Sequence, residues 1–259
     1  MNNLLVKASN IKSITPLDMH GRQRLSDIGI DSSVVPHTVK SIHLLLLNKV
    51  YNGIGTENEN GGLEFFSSTL LMDLSSLKET CNTVAAAKEY KELERSIKVL
   101  RRPERKTAKK KLTQHEDNSQ CSHATSNKYQ TVTLNHPGIN YFPVQRKQKS
   151  DSCCIFAGMI DYLSYLTILK DYPEVNLPTG ADCIVVNSVS NFVNGLLDCE
   201  NYNKIYCMLP NTEVGAIMAC TIRDRNKSKC RDSSKVYADY IDLQQYLSSL
   251  KQTSFVETL

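Results

Sequence analysis

Hydrophobic positions along this 259-residue chain fall into three regimes. From Ser41 to Phe66 they come in short strand-sized bursts separated by turn residues. Ser41–Leu47, with its Leu44–Leu47 run, predicts a strand, Asn48-Lys49 a tight turn, and Val50–Gly55 the returning strand. Asn58-Glu59-Asn60-Gly61-Gly62 supplies residues that tolerate positive φ, and Leu63–Phe66 then predicts a third strand, completing an antiparallel meander. Upstream, residues 1–20 show no period and read as a loose lead-in, while Arg22–Val35 predicts a short helical segment and a turn. In the second regime, residues 74–112, apolar positions at Leu77, Ala85, Leu93, Ile97 and Leu100 are unevenly spaced along a helix that Pro103 ends or kinks. Residues 113–128 are polar and patternless, the composition of a flexible linker.

The third regime alternates strand and helix. Cys153–Phe156, Cys183–Asn187, Ile205–Leu209 and Lys229–Arg231 predict strands, and Gly158–Lys170, Val189–Leu197, Glu213–Arg223 and Leu243–Leu250 predict helices. Met159, Leu163, Leu166 and Ile168 or Leu169 mark the inward face of the first helix. Such alternation implies a four-stranded parallel sheet covered on both faces, the α/β class. The expected division is an α+β part over residues 1–80, a basic helical segment and linker over 81–135, and the α/β domain over 136–259. In such sheets chemistry collects beyond the carboxyl ends of the strands, here the turns after Phe156 and Leu209.

Composition adds limits. The length suffices for a buried core, and an apolar content of 41% is slightly low, which leaves part of the chain unpacked. No apolar run approaches 18 residues and no leader is evident, so the expectation is a soluble cytoplasmic protein without a membrane partner. The nine cysteines lack regular spacing and contain no Cys-x-x-Cys, which favours reduced thiols acting as small apolar groups. Cys121-x-His123 is the only near pair of zinc-type ligands and has no second half. The net charge of +4 is mild, but eleven lysines and arginines against four glutamates between Lys88 and Lys111 give a local excess of +7. Lys98, Arg101, Arg102, Arg105, Lys106, Lys109, Lys110 and Lys111 are therefore candidate contacts to single-stranded or duplex DNA phosphates, against the alternative of a solvated face. No aromatic interleaves these eight residues, which argues against a stacking-based single-strand site.

Four segments carry a family resemblance: 153–166 (Cys-Cys-Ile-Phe-Ala-Gly-Met-Ile-Asp-Tyr-Leu-Ser-Tyr-Leu), 182–188 (Asp-Cys-Ile-Val-Val-Asn-Ser), 205–215 (Ile-Tyr-Cys-Met-Leu-Pro-Asn-Thr-Glu-Val-Gly), and 232–243 with Asp232-Ser233, Tyr237 and Asp242-Leu243. Their order resembles the Toprim domain of primases, topoisomerases and related nucleases, closest to the primase-like proteins of bacterial mobilizable and conjugative elements. The stretch Asn48-Lys49-Val50-Tyr51 through Gly61-Gly62-Leu63-Glu64 resembles the segment preceding that domain. The resemblance implies a Rossmann-like sheet and a magnesium site built from a Glu, an Asp four residues on, and an Asp-x-Asp. Those positions fall on Ala157, Asp161, Pro210 and Thr212, so one of the four carboxylates remains. Mg²⁺ takes oxygen ligands, and a lone Asp161 is a poor match for its charge.

The resemblance thus implies a degenerate site (Ala157, Gly158, Asp161, Pro210, Asn211, Thr212, Gly215), no catalytic residue and no cofactor. It also implies an N-terminal zinc-ribbon module, of which the chain shows no sign. Gly158 and Gly215 are each expected to open a helix where backbone must come close, and Asn187-Ser188 to cap the next helix. Asp161 is left as a helix-surface carboxylate complementing the dipole, a residual metal contact, or a binding group. The functional expectation is a nucleic-acid-binding or accessory protein in mobile-element DNA processing. The alternatives are a magnesium-dependent primase or nucleotidyltransferase with a site rebuilt from Asp161, Glu213 and Asp224 or Asp232, or a module that docks a relaxase, integrase or primase.

Overall fold

The structure is a computed structural model that describes residues 11–46, 49–72, 132–144 and 150–256. The expected helix and linker of 74–128, with the eight candidate basic residues, lie outside the described residues. The described chain is mixed α/β and forms two five-stranded sheets.

The first sheet is antiparallel, with β1 (Ile11–Pro16), β2 (Lys40–Leu46), β3 (Lys49–Glu57), β4 (Leu63–Phe66) and β5 (Val132–Leu134) in sequence order. The expected meander is its centre. Leu44 pairs with Tyr51, and Ile54 with Phe66. The period-2 alternation places Ile42, Leu44, Tyr51, Leu63 and Phe65 in one apolar cluster. Two strands exceed the meander. β1 was expected to be lead-in; it is an edge strand, mostly exposed, so no apolar stripe advertises it, and its closing proline sits where no ladder donor is needed. β5, on the far side, has three residues. Helix α1 (Met19–Asp27) precedes β2, and Asp18 caps it by accepting from the Gly21 amide at 2.7 Å.

The second sheet has the order β10 (Cys230–Asp232), β9 (Lys204–Met208), β7 (Ser152–Phe156), β8 (Asp182–Val185) and β6 (Asn140–Phe142). The first four are mutually parallel, and β6 joins antiparallel to β8. β6 was not among the expected strands. Asp182 holds the neighbouring loop by accepting from Tyr141 Oη at 2.7 Å, Tyr202 Oη at 2.9 Å and the Val144 amide at 2.9 Å.

Successive side chains of β7 point to opposite faces. Cys153 and Ile155 pack with α3 (Phe192–Cys199) and α4 (Glu213–Asn226), whereas Cys154 and Phe156 pack with α2 (Met159–Asp171) and α5 (Leu243–Val256). The adjacent cysteines are thus free thiols buried in separate cores, as small apolar groups. α2 was expected to show one inward face and is instead buried nearly all round. It lies between its own sheet and residues from the first half, because Leu25, Ile30, Val39, Ile54 and Phe66 share its core. Asparagines join the two sheets as well. Asn140 Nδ2 donates to the Glu57 carbonyl at 2.6 Å, and Asn187 Nδ2 donates to Asn140 Oδ1 at 2.7 Å. Asn187 and Ser188 make no side-chain helix cap, contrary to expectation; Asn187 instead carries the chain through a left-handed turn at φ 63°.

Candidate functional site

The candidate site lies at the carboxyl ends of β7 and β9, where each strand turns into a helix. After β7, Ala157 and Gly158 are part-buried and α2 begins at Met159. A Cβ built on Gly158 would meet nothing within 4 Å, and its backbone is extended, so no close approach demands glycine there. That corrects one expectation. Gly215 meets the other, because a Cβ on it would sit 2.0 Å from the Pro210 carbonyl oxygen.

The turn after β9 is committed to structural contacts. Thr212 caps α4, its Oγ1 accepting from the Gly215 amide at 3.2 Å. Asn211 Nδ2 donates to the carbonyls of Tyr237 at 2.9 Å and Tyr240 at 2.8 Å, and the Asn211 amide donates to the Ile241 carbonyl at 2.7 Å. Tyr237, itself buried, donates its hydroxyl to the Leu209 carbonyl at 3.0 Å. The late segment 237–241 is thereby stapled onto the turn.

That segment delivers Asp242 beside Asp161. Asp161 is not a surface carboxylate: it is 6% exposed and accepts from the backbone amides of Leu243 and Gln244, in the first turn of α5. Asp242 is also buried and accepts from the Gln245 amide at 2.8 Å. Burial, reinforced by the Asp242 charge, raises the Asp161 pKa well above the usual carboxylate range, and the two α5 amides only partly oppose it. Two buried carboxylates therefore share one helix N-terminus, and burial with the neighbouring charge favours the protonated form of Asp161. Tyr237 is pushed up by burial and then by the charges of Asp161, Asp232 and Asp242.

The residues of the rebuilt-site alternative form no metal-holding group among the described residues. Glu213 is exposed at the start of α4, and Asp224 follows eleven residues later in the same helix, about 16 Å along the axis at 1.5 Å per residue. Asp232 ends β10 and accepts from the Ser234 amide and hydroxyl. Among the described residues, no three His, Cys, Asp or Glu side chains form a metal-holding group. Of the four positions where the resemblance puts magnesium ligands, only Asp161 carries a carboxylate. Asp161 is enclosed and engaged by α5, Thr212 Oγ1 is engaged in its cap, and Ala157 and Pro210 carry no ligand. Tyr162 and Tyr165 are packed in the core: Tyr162 stacks on Phe142 with ring centroids 4.3 Å apart, and Tyr165 tilts against Phe156.

Sequence reasoning missed a second opening. A cavity of about 250 Å³ lies against α1, β2 and β3, lined by Asp18, His20, Arg24, Ser41, His43 and Asn52. The signal was the spacing of His20 and Arg24, which puts both on one side of α1. Asp18 is held below the usual range by the Gly21 amide first, then by Ser41, with smaller contributions from His20 and His43.

No protein-family model matches the chain, and no curated protein matches it. Among solved structures it is similar to the primase fragment of the bacteriophage T7 primase-helicase protein, with a TM-score of 0.43 and 10% sequence identity, over 90% of this chain and 72% of that one. Among the described residues, no helix is long and apolar enough to cross a membrane.

Proposed function

We propose that this chain is a Toprim-type, primase-like protein that has lost its carboxylate chemistry and retains nucleic-acid binding, as an accessory in mobile-element DNA processing. One observation carries the reading. The two turns where the resemblance puts metal ligands are given over to scaffold contacts, with Thr212 capping α4, Asn211 holding residues 237 and 240, and Asp161 buried against α5. A turn whose Thr212 and Asn211 side chains stabilise their own fold in this way offers few oxygens with which to hold a metal and a phosphate together. The polyanion side of the reading rests on the basic residues between Lys98 and Lys111, whose charge attracts phosphates without reading bases.

The test is equilibrium binding of the full chain to labelled single-stranded and duplex DNA in EDTA, over a range of salt concentrations. The expected result is metal-independent binding whose logarithm falls linearly with that of salt, with a slope of about −0.9 per duplex phosphate neutralised. Alanine at Arg101, Arg102 and Arg105 should make that slope shallower. Primer synthesis or nicking that requires Mg²⁺ or Mn²⁺ and vanishes in Asp161→Asn would overturn the loss of chemistry. Absent or salt-insensitive DNA binding would instead favour docking to a relaxase, integrase or primase.

A further inference from the structure

The apolar face of the second sheet, away from the Asp161 turn, holds a different kind of chemistry. Cys207 of β9 and Cys230 of β10 lie on neighbouring parallel strands, with their Sγ atoms 3.4 Å apart. The two thiols differ in access. Cys207 is fully buried, whereas Cys230 is part-exposed on the strand that forms the sheet edge. They differ in charge preference as well. The Cys207 thiol, as a hydrogen-bond donor, favours the thiolate of Cys230, and Arg223 adds to this against burial and Asp232. The same contact, with burial, pushes Cys207 up. Between the two, the shifts favour ionisation of the sulfur that a small reagent can reach over that of the one it cannot. The thiolate is the reactive form of cysteine, and an accessible cysteine with a second thiol 3.4 Å away has what a sulfenate needs to be resolved.

We propose that Cys207 and Cys230 form a peroxide-reactive thiol pair, with Cys230 the attacking sulfur and Cys207 the resolving one. In the first step the Cys230 thiolate attacks one oxygen of a hydroperoxide. An S–O bond forms as the O–O bond breaks, and the leaving oxyanion takes a proton from water. The sulfur loses two electrons and the peroxide gains two, leaving Cys230 as sulfenic acid. In the second step the Cys207 sulfur attacks the Cys230 sulfur. An S–S bond forms as the S–O bond breaks, and the Cys207 proton leaves with the hydroxide as water. The product joins β9 covalently to the edge strand, next to the Ser233 amide that donates to the Cys207 carbonyl at 3.0 Å. β10 leads directly into the segment that staples Asn211, so the link falls close to the candidate site. Cys153, Cys154, Cys183 and Cys199 are all buried and lack such access.

The experiment treats the reduced full chain with one equivalent of hydrogen peroxide, blocks remaining thiols with N-ethylmaleimide, and maps non-reduced peptides by mass spectrometry over time. The expected first product is the Cys207–Cys230 cross-linked peptide, lighter by two hydrogens. Cys207→Ala should lose that peptide and accumulate a dimedone-trapped sulfenic acid at Cys230. Cys230→Ser should abolish both products. Because the wild-type time course requires no folded variant, it decides by itself. Earlier oxidation at Cys81, Cys121 or Cys220 without the cross-link would overturn the proposal, and so would a Cys230 sulfenic acid that persists in the wild type as it does in Cys207→Ala.

Discussion

Asp161 and Glu64 are the two acids whose surroundings differ most from what their sequence positions suggest. Asp161 was legible as a carboxylate in the first turn of a helix, and it does occupy that turn. Its partner was not legible, because Asp242 is brought beside it only by the long return of the chain through β8, β9 and β10. Glu64 reads as a polar residue in a three-strand meander and belongs, by alternation, on a wet face. In the structure it is fully buried, accepting from Asn58 Nδ2 at 3.0 Å and Thr133 Oγ1 at 2.9 Å. Thr133 lies in β5, and nothing local ties that strand to β4. Burial raises the Glu64 pKa from 4.5 to about 7, against the two donated hydrogen bonds. A raised folded-state value means that the stabilisation is fully present below the unfolded value and is lost as pH rises through about 7. Glu64→Gln keeps the shape and can still meet both partners. It should therefore leave urea midpoints nearly unchanged at low pH and raise stability above pH 7, by an upper bound on the order of 3 kcal/mol. Parallel pH profiles for the two proteins would count against this account of Glu64.

At the scale of elements, the sequence was most readable where one period governed one face. The β2–β3–β4 meander and the four parallel strands of the second sheet fall within a residue or two of their expected limits. By contrast, α3 begins three residues later than expected, and α4 and α5 run three and six residues further. Edges were the unreadable elements. β1 is exposed along nearly its whole length, and β5 and β6 have three residues each, so their pairing is decided by neighbours rather than by pattern. The two site glycines show the same limit. Gly215 faces backbone, so Gly215→Ala should cost about 1–3 kcal/mol through an overlap that cannot relax by rotating a side chain. Gly158→Ala enters open space and should change stability by no more than about 0.5 kcal/mol. Denaturant midpoints of the two variants, measured side by side, check the contrast, and equal losses would contradict it. Asn211→Ala frees two carbonyls of the stapled segment and should cost about 1–3 kcal/mol by the same measurement.

For the whole molecule, the two sheets share one continuous core, with α2 at its centre and residues of both halves around it. That packing explains why α2 looks one-sided in sequence and is not: its core is shared with side chains from the first half of the chain, Leu25 to Phe66. The fold class and the location of the candidate turns were therefore legible, while the commitment of those turns to the scaffold was not. Thr212, Asn211 and Asp161 all read as free polar groups until their partners are placed. The central claim is that these turns hold the fold rather than a metal. Calorimetric titration of Mg²⁺ and Mn²⁺ into the full chain, with and without single-stranded DNA, tests it most directly. The account predicts no heat beyond dilution without DNA, and with DNA no more heat than the same titration into DNA alone. Stoichiometric binding that disappears in Asp161→Asn or Asp242→Asn, in variants still folded by thermal melting, would contradict it.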